Sequence, residues 1–158
     1  MQGGDGMYAI GWLEIGEYEL AAKQFQLSYS NAQQPFNVWT EFTTGGTVNF
    51  ITGAGGFLQC VIFGYGGVRL GQGQLLISPP PLPQNATALT LASLHYLSSA
   101  LTITVTNTTL SVMLMSQPAG APPLQLVPQQ MAPIPLFLNE TVTIEVGASA
   151  IEPVPTTQ

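Results

Sequence analysis

The chain has 158 residues, enough for one ordinary domain or two small ones. It carries 2 basic and 8 acidic residues, and only 6% of its positions are charged, against about 25% in a typical soluble domain. Lys23 and Arg69 are the only cations, which excludes a nucleic-acid-binding surface because neutralising phosphates requires clustered Lys and Arg. Cys60 and His95 are each the only residue of their kind, which excludes an internal disulfide and metal sites built on Cys or His clusters. We expect no metal and no cofactor.

The first residues predict two helices joined by a tight link. Apolar residues after Asp5 recur at helical spacing until Gly16, and Asp5 suits an N-cap. From Glu17 to Ser30 a second amphipathic pattern follows. Two helices with a glycine link form an αα-hairpin.

A third helix is predicted from about Asn49 to Gly64. One of its faces is apolar and aromatic, and the other consists of small residues, notably Gly53, Gly56 and Cys60. Glycine costs a helix up to about 1 kcal/mol relative to alanine, so this face indicates the close approach of another helix or a ligand. A transmembrane helix at 48–68 is the alternative, but its glycines, Asn and Gln weaken the apolar signal. We expect a buried helix and no membrane association.

The pattern changes near Arg69. Residues 70–139 contain no Asp, Glu, Lys or Arg. The segments LTITVT, TLSVMLM and TVTIEV alternate apolar residues with Thr or Ser, and 74–78 and 86–97 are further strand candidates. We predict an antiparallel β-domain over 69–158, with prolines 79–83 as a stiff connector and the Pro-rich segment 118–135 as a loop.

Glu41 is the most promising candidate for a catalytic residue. It lies in NVWTEFTTGG, predicted to be a loop, between Trp39 and Phe42. Aromatic faces pack on the C–H surface of a sugar, and a carboxylate can activate water. The alternative is a structural carboxylate that accepts backbone N–H bonds or caps the next helix. A Ser/His/Asp triad is disfavoured because His95 and Asp5, the only aspartate, lie in unrelated patterns.

The segments GGDGMYAIGWLEIGEYELAAKQFQLSYSN and PFNVWTEFTTGGTVNFITGAGGFLQCVIFGYGGVRL resemble the last part of the catalytic domain of glycoside hydrolase family 65. The resemblance covers about residues 3–70 well and the β-segment more loosely. It implies an α+β chain, in which residues 1–68 are the last helices of an (α/α)6 barrel and residues 69–158 are a small antiparallel β-domain.

The resemblance also implies an activity. The family's hydrolases use one glutamate as general acid and a later one, in a VWTE-type motif, as general base; that position matches Glu41. Trp39 and Thr40 are then candidate substrate-binding residues. The implied enzyme is an inverting α-glucosidase that removes glucose from glucosyl-galactosyl-hydroxylysine of collagen-type chains. The general acid would belong to the missing N-terminal part of the parent enzyme, so this chain alone is expected to be inactive. An acid trehalase-type hydrolase is the alternative within the same chemistry.

A non-catalytic β-module for interaction is the alternative from another class. The location is open. The N-terminus has no basic segment of the kind that begins a signal peptide, which favours the cytoplasm, while sequons at Asn85, Asn107 and Asn139 leave a secretory route possible.

Overall fold

The computed structural model describes residues 5–155. The chain divides into two compact units, Met1–Tyr65 and Gly66–Gln158, which we call the helical unit and the β unit. The division lies near the sequence boundary at Arg69, and the assignment of the first part to a helical barrel stays a prediction. The α+β class is confirmed by three helices and twelve strands among the described residues.

The helical unit contains the three predicted helices. They are α1 (Asp5–Glu14), α2 (Tyr18–Tyr29) and α3 (Ile51–Gln59), and α3 continues into a π-helical turn at Cys60–Tyr65. The predicted αα-hairpin is confirmed, since the first two helices pack together and Gly16 joins them with a φ of 79°. The N–H of Gly16 donates to the Leu13 carbonyl and that of Glu17 to the Trp12 carbonyl. This is the Schellman pattern, which ends a helix at a left-handed glycine.

The small-residue face of α3 packs against another helix, as its glycines indicated. A Cβ built on Gly6 of α1 would clash with the carbonyl of Gly56 on α3. In the π-helical turn, a Cβ on Gly64 would lie 3.0 Å from a methyl carbon of Leu13. Glycines at these positions therefore let the two helices approach at backbone distance.

A small antiparallel sheet lies between α2 and α3 along the chain. Its strands are β1 (Ala32–Gln33), β2 (Val38–Phe42) and β3 (Gly45–Val48), in the order β1-β2-β3. The prediction of a loop around Glu41 is therefore wrong. The two residues between β2 and β3 close a tight hairpin, and the glycines that follow have φ values of 151° and 81°. Glycine adopts such values without a steric penalty, so the Gly pair starts a strand here.

The β unit consists of two antiparallel sheets. In chain order, its strands are β4 (Val68–Leu70), β5 (Leu75–Ile77), β6 (Ala88–Tyr96), β7 (Ser99–Thr106), β8 (Thr109–Ser116), β9 (Leu124–Pro128), β10 (Ile134–Pro135), β11 (Thr141–Glu145) and β12 (Ser149–Pro153). One sheet has the strand order β10-β9-β12-β5-β4 and the other β11-β8-β7-β6. The five strand predictions of this region are confirmed.

The prediction of a loop over 118–135 is wrong. It contains β9, a central strand whose Leu124 and Leu126 are buried, and the short β10. Proline is disfavoured inside sheets because it lacks the N–H donor. Here Pro128 is the last residue of β9, where the strand tolerates it.

The core of the chain is concentrated in the β unit. Alternate residues of β7 and β8 are fully buried, and so are apolar residues of the other sheet: Ile77, Leu101, Ile103, Val105, Leu110, Val112, Leu114, Leu126 and Ile151 are 0% exposed. The helical unit buries mostly small side chains such as Ala9, Ala21 and Cys60. Among the described residues, no helix has both the length and the hydropathy to span a membrane.

Candidate functional site

The hairpin of β2 and β3 carries the candidate carboxylate. The strands pair through Thr40 with Val48 and Phe42 with Gly45, so Glu41 faces two residues, Gly46 and Thr47. This two-against-one pairing is a β-bulge, and Gly46 supplies the left-handed φ that such bulges favour. A Cβ on Gly46 would lie 2.9 Å from the Glu41 Cβ. The bulge therefore makes room for the glutamate side chain.

Glu41 is half-buried, and within the described part of the chain its carboxylate is held by Thr47. Its Oε2 accepts hydrogen bonds from the backbone N–H and the hydroxyl of Thr47, both at 3.3 Å. The alternative that Glu41 accepts backbone N–H bonds is thus observed, and it does not conflict with a chemical role. Hydrogen bonds to Oε2 fix the orientation of the carboxylate, and its other oxygen, Oε1, then points in a different direction.

Asn31 supports the hairpin from behind. It is 1% exposed, and its Nδ2 donates to the carbonyls of Glu41 at 3.2 Å and Thr40 at 3.5 Å. Its Oδ1 has no hydrogen-bond partner among the described residues. Sequence reasoning did not single out Asn31 or Thr47; a Thr directly after the Gly pair of a hairpin was the signal for the second.

Thr40, a predicted substrate-binding residue, faces the interior. It is 7% exposed, and its hydroxyl donates to the carbonyls of Phe42 at 2.7 Å and Asn31 at 3.2 Å. The Gln33 amide also lies 3.4 Å from this hydroxyl. The structure therefore gives Thr40 a role in holding β2 to the preceding segment, and its contact with substrate stays a prediction.

Trp39, the other predicted substrate-binding residue, is anchored on the helices. Its indole N–H donates to the Ser28 carbonyl at 2.9 Å, and its ring lies 5.4 Å from that of Phe57. Phe57 in turn stacks on Phe25, which also contacts Tyr65. This aromatic cluster connects the hairpin to α2 and α3, so one role of Trp39 is structural.

The remaining face of Trp39 borders an open groove of about 280 Å³. Aromatic and apolar side chains and two asparagines line it: Phe36, Asn37, Val38, Trp39, Asn49, Phe50, Ile51 and Ala54. Glu41 is not among them. The structure therefore places the two candidate residues on one strand but brings only Trp39 to the groove.

Burial raises the pKa values of two groups near the aromatic cluster. Burial raises the pKa of the Cys60 thiol to about 12. Burial also raises the pKa of Tyr65 to about 12, and Cys60 and Tyr29 add to this increase. A thiol with such a pKa is protonated at neutral pH, so Cys60 is not a nucleophile here.

The other residues considered for catalysis or metal binding do not form a site within the described part of the chain. His95 is exposed on β6 in the β unit. Within residues 5–155, His, Cys, Asp and Glu side chains form no group of three or more that suits a metal ion.

The chain has relatives among known enzymes. The chain is 48% identical over 103 residues to protein-glucosylgalactosylhydroxylysine glucosidase of Danio rerio. The matched region covers 65% of this chain and 16% of that enzyme. The enzyme of the same name from Gallus gallus is 34% identical over 151 residues, covering 94% of this chain and 21% of its own length. The resemblance to glycosidases read from the sequence is confirmed. No family profile matches the chain.

The fold of the chain is also found in a solved structure. A protein from the human microbiome described as a kojibiose phosphorylase superposes with a TM-score of 0.66 over 89% of this chain and 18% of that chain. The two are 14% identical, so this likeness concerns architecture alone. By these comparisons the chain spans between about one seventh and one fifth of the length of its relatives.

Proposed function

Because the chain is homologous to a part of the protein-glucosylgalactosylhydroxylysine glucosidases, we propose that it is the C-terminal portion of an inverting α-glucosidase. Its substrate is the glucosyl-galactosyl-hydroxylysine unit of collagen-type chains. The identities of 48% and 47% to the enzymes of two distant organisms carry this proposal.

Glu41 is the general base in this proposal. An inverting glycosidase places one carboxylate to activate water and a second, about 6.5–9.5 Å away, to protonate the leaving oxygen. Oε2 of Glu41 is held by Thr47, and Oε1 takes a proton from the water that attacks the anomeric carbon. The bond to the galactosyl oxygen breaks on the opposite face, and this oxygen receives its proton from the general acid. Inversion therefore releases β-glucose from an α-linked substrate.

The general acid comes from another part of the longer enzyme. Residues 1–68 would form the closing helices of an (α/α)6 barrel and residues 69–158 its C-terminal β-domain. Large apolar side chains exposed on the helical unit support this arrangement: Tyr8, Ile15, Phe36, Val48 and Ile51 are each more than 60% exposed. Such surfaces are typical of elements that pack against further helices. The 158-residue chain alone is then inactive.

A non-catalytic β-module is the second candidate. The fully buried core of the β unit favours it, because a unit with its own core can fold and bind a partner without the barrel. An acid trehalase-type hydrolase would use the same carboxylate chemistry on an α,α-linked glucose pair.

The test is a glucose-release assay followed by NMR of the released anomer. Glucosyl-galactosyl-hydroxylysine and trehalose are each supplied with and without phosphate, both to the 158-residue chain and to the longer enzyme that contains it. We expect β-glucose from the first substrate, independent of phosphate, only with the longer enzyme. Release of α-glucose, or a requirement for phosphate, would contradict an inverting hydrolase. Turnover by the short chain would contradict the need for a separate general acid.

A further inference from the structure

The asparagines of the two units differ in their sequence context. Asn31, Asn37 and Asn49 of the helical unit are not followed by a Ser or Thr two positions later. Asn85, Asn107 and Asn139 are the asparagines of the β unit, and all three are followed by Thr at that position. Ser and Thr make up 18 of the 93 residues from 66 to 158. Composition alone would thus produce the N-x-Ser/Thr pattern at about one asparagine in five, so three of three is more than composition explains.

The structure exposes all three asparagines. Asn139 is the third residue of a turn closed by the Glu140 N–H donating to the Phe137 carbonyl at 3.1 Å, and its φ is 62°. Asn85 is likewise the third residue of a turn, which is closed by the Ala86 N–H donating to the Pro83 carbonyl. Its φ is 69°. The third turn position with positive φ suits Asn, and in both turns the asparagine is exposed to solvent.

Phe137 distinguishes the Asn139 turn. It lies two residues before the asparagine and is 59% exposed. The turn is fixed in place because the Asn139 N–H donates to the Leu114 carbonyl at 2.8 Å. The Asn85 turn has Pro83 in the equivalent position. An exposed aromatic ring beside a glycan acceptor offers its face to the C–H surface of the first sugar.

We propose that Asn139 carries an N-linked glycan whose first N-acetylglucosamine stacks on Phe137. The donor is an oligosaccharide linked to a lipid diphosphate, and a transferase catalyses the step. The Asn139 Nδ2 attacks the anomeric carbon of the first sugar and loses one proton, and the bond from that carbon to the diphosphate oxygen breaks. The lipid diphosphate leaves with the bonding electrons. This inference is independent of the glucosidase proposal, and it places the β unit in the secretory pathway at the time of transfer.

Mass spectrometry of the protein isolated from its own cells tests the proposal. The protein is treated with an amidase that removes N-glycans in heavy-oxygen water, which converts each glycosylated Asn to labelled Asp. We expect the label at Asn139 and none at Asn31, Asn37 or Asn49, which serve as internal controls. A peptide that contains Asn139 without label and without sugar would overturn the proposal, whatever the enzyme's activity.

Variants of the full-length enzyme, expressed in cells of the source organism, test the geometry. Asn139→Gln and Thr141→Ala should each remove the same glycan, whereas Thr143→Ala, on the same exposed strand face, should retain it. Removing the glycan enzymatically should lower the melting temperature of the β unit in the parent protein. Phe137→Ala should abolish that decrease, and Leu138→Ala should keep it. An equal decrease in both variants would overturn the stacking contact.

Discussion

Thr47 holds the Glu41 carboxylate with two donors, its backbone N–H and its hydroxyl, which both lie 3.3 Å from Oε2. Two features of the hairpin create this contact. The bulge sets Gly46 and Thr47 opposite one residue of β2, and Gly46 lacks the side chain that would collide with Glu41. The orientation of the carboxylate is thus a property of the backbone of β3.

The first prediction concerns Glu41 itself. In the full-length enzyme, Glu41→Gln should reduce kcat by about 100-fold or more, because a general base contributes roughly 10²–10⁴ to rate. The amide keeps the size of the side chain and accepts the Thr47 hydrogen bonds, so circular dichroism should be unchanged. Glu19→Gln, at an exposed position of α2, is the matched control and should retain activity. Near-normal turnover of Glu41→Gln would show that the base is another residue.

The second prediction separates the hydroxyl of Thr47 from its backbone. Thr47→Val removes the hydroxyl donor and keeps the shape, so one of the two hydrogen bonds to Oε2 is lost. A hydrogen bond to a charged group is worth about 1.5–3 kcal/mol, and exposure of Thr47 to solvent reduces this value. We expect kcat to fall about 3- to 10-fold with little change in KM, measured by steady-state glucose release.

Thr47→Ser is the control for this prediction, because it restores the hydroxyl at the same position. Its kcat should lie close to that of the unmodified enzyme. If the Ser and Val variants were equally impaired, the methyl group of Thr47 would matter, and its hydroxyl would not position the carboxylate.

The hairpin also shows what the sequence could predict. The long helices were readable because apolar residues recur with the helical period and Gly16 marks the link. The VWTE segment has no such period: it is short, and only one of its residues, Thr40, is buried. Its strand character comes from pairing with residues on both sides in the chain. Pairing of this kind leaves no local pattern, so Glu41 was found by its chemistry while its surroundings were not.

The central strand β9 was missed for a different reason. Six of the 18 residues of 118–135 are prolines, and proline normally disfavours a strand. Here they flank the run LQLV and leave its hydrogen-bonding groups free to pair with β12 and β10. In contrast, β7 and β8 alternate regularly, because one face of each strand is buried and the other is partly exposed. An alternating pattern identifies strands that have one face exposed to solvent, whereas nearly every side chain of β9 is buried.

The third prediction tests the close contact between α1 and α3. Gly6→Ala places a methyl group against the Gly56 carbonyl, and neither backbone can move without separating the helices. Overpacking of this kind costs about 1–3 kcal/mol of unfolding free energy. Gly11→Ala, in the same helix, has no neighbour within 4 Å and should stabilise by about 0.5–1 kcal/mol through helix propensity.

Urea denaturation of the two variants, followed by circular dichroism, measures this difference. The opposite signs are the informative result, since each substitution replaces a glycine of α1 with alanine. If Gly6→Ala were also stabilising, the two helices would not be in backbone contact.

The fourth prediction concerns the stability of the helical unit at alkaline pH. Burial raises the pKa of Cys60 from 9.0 to about 12 and that of Tyr65 from 10.0 to about 12. In the unfolded chain both groups ionise at their ordinary values, while in the folded unit they remain protonated. The stabilising effect of the raised values is complete below pH 9. It is lost progressively as the pH rises from about 9 to 12, because ionisation then favours the unfolded chain.

The measurement is urea denaturation at several pH values, with Cys60→Ala and Tyr65→Phe as variants that lack one titrating group each. Each variant should show a smaller loss of stability between pH 9 and pH 12 than the unmodified chain. The thiol provides an independent readout: at pH 8, folded Cys60 should react with a maleimide far more slowly than the same residue in denaturant, since it is 0% exposed. Equal rates in the two states would mean that the helices open readily, and that the aromatic cluster beneath Trp39 does not form a closed core.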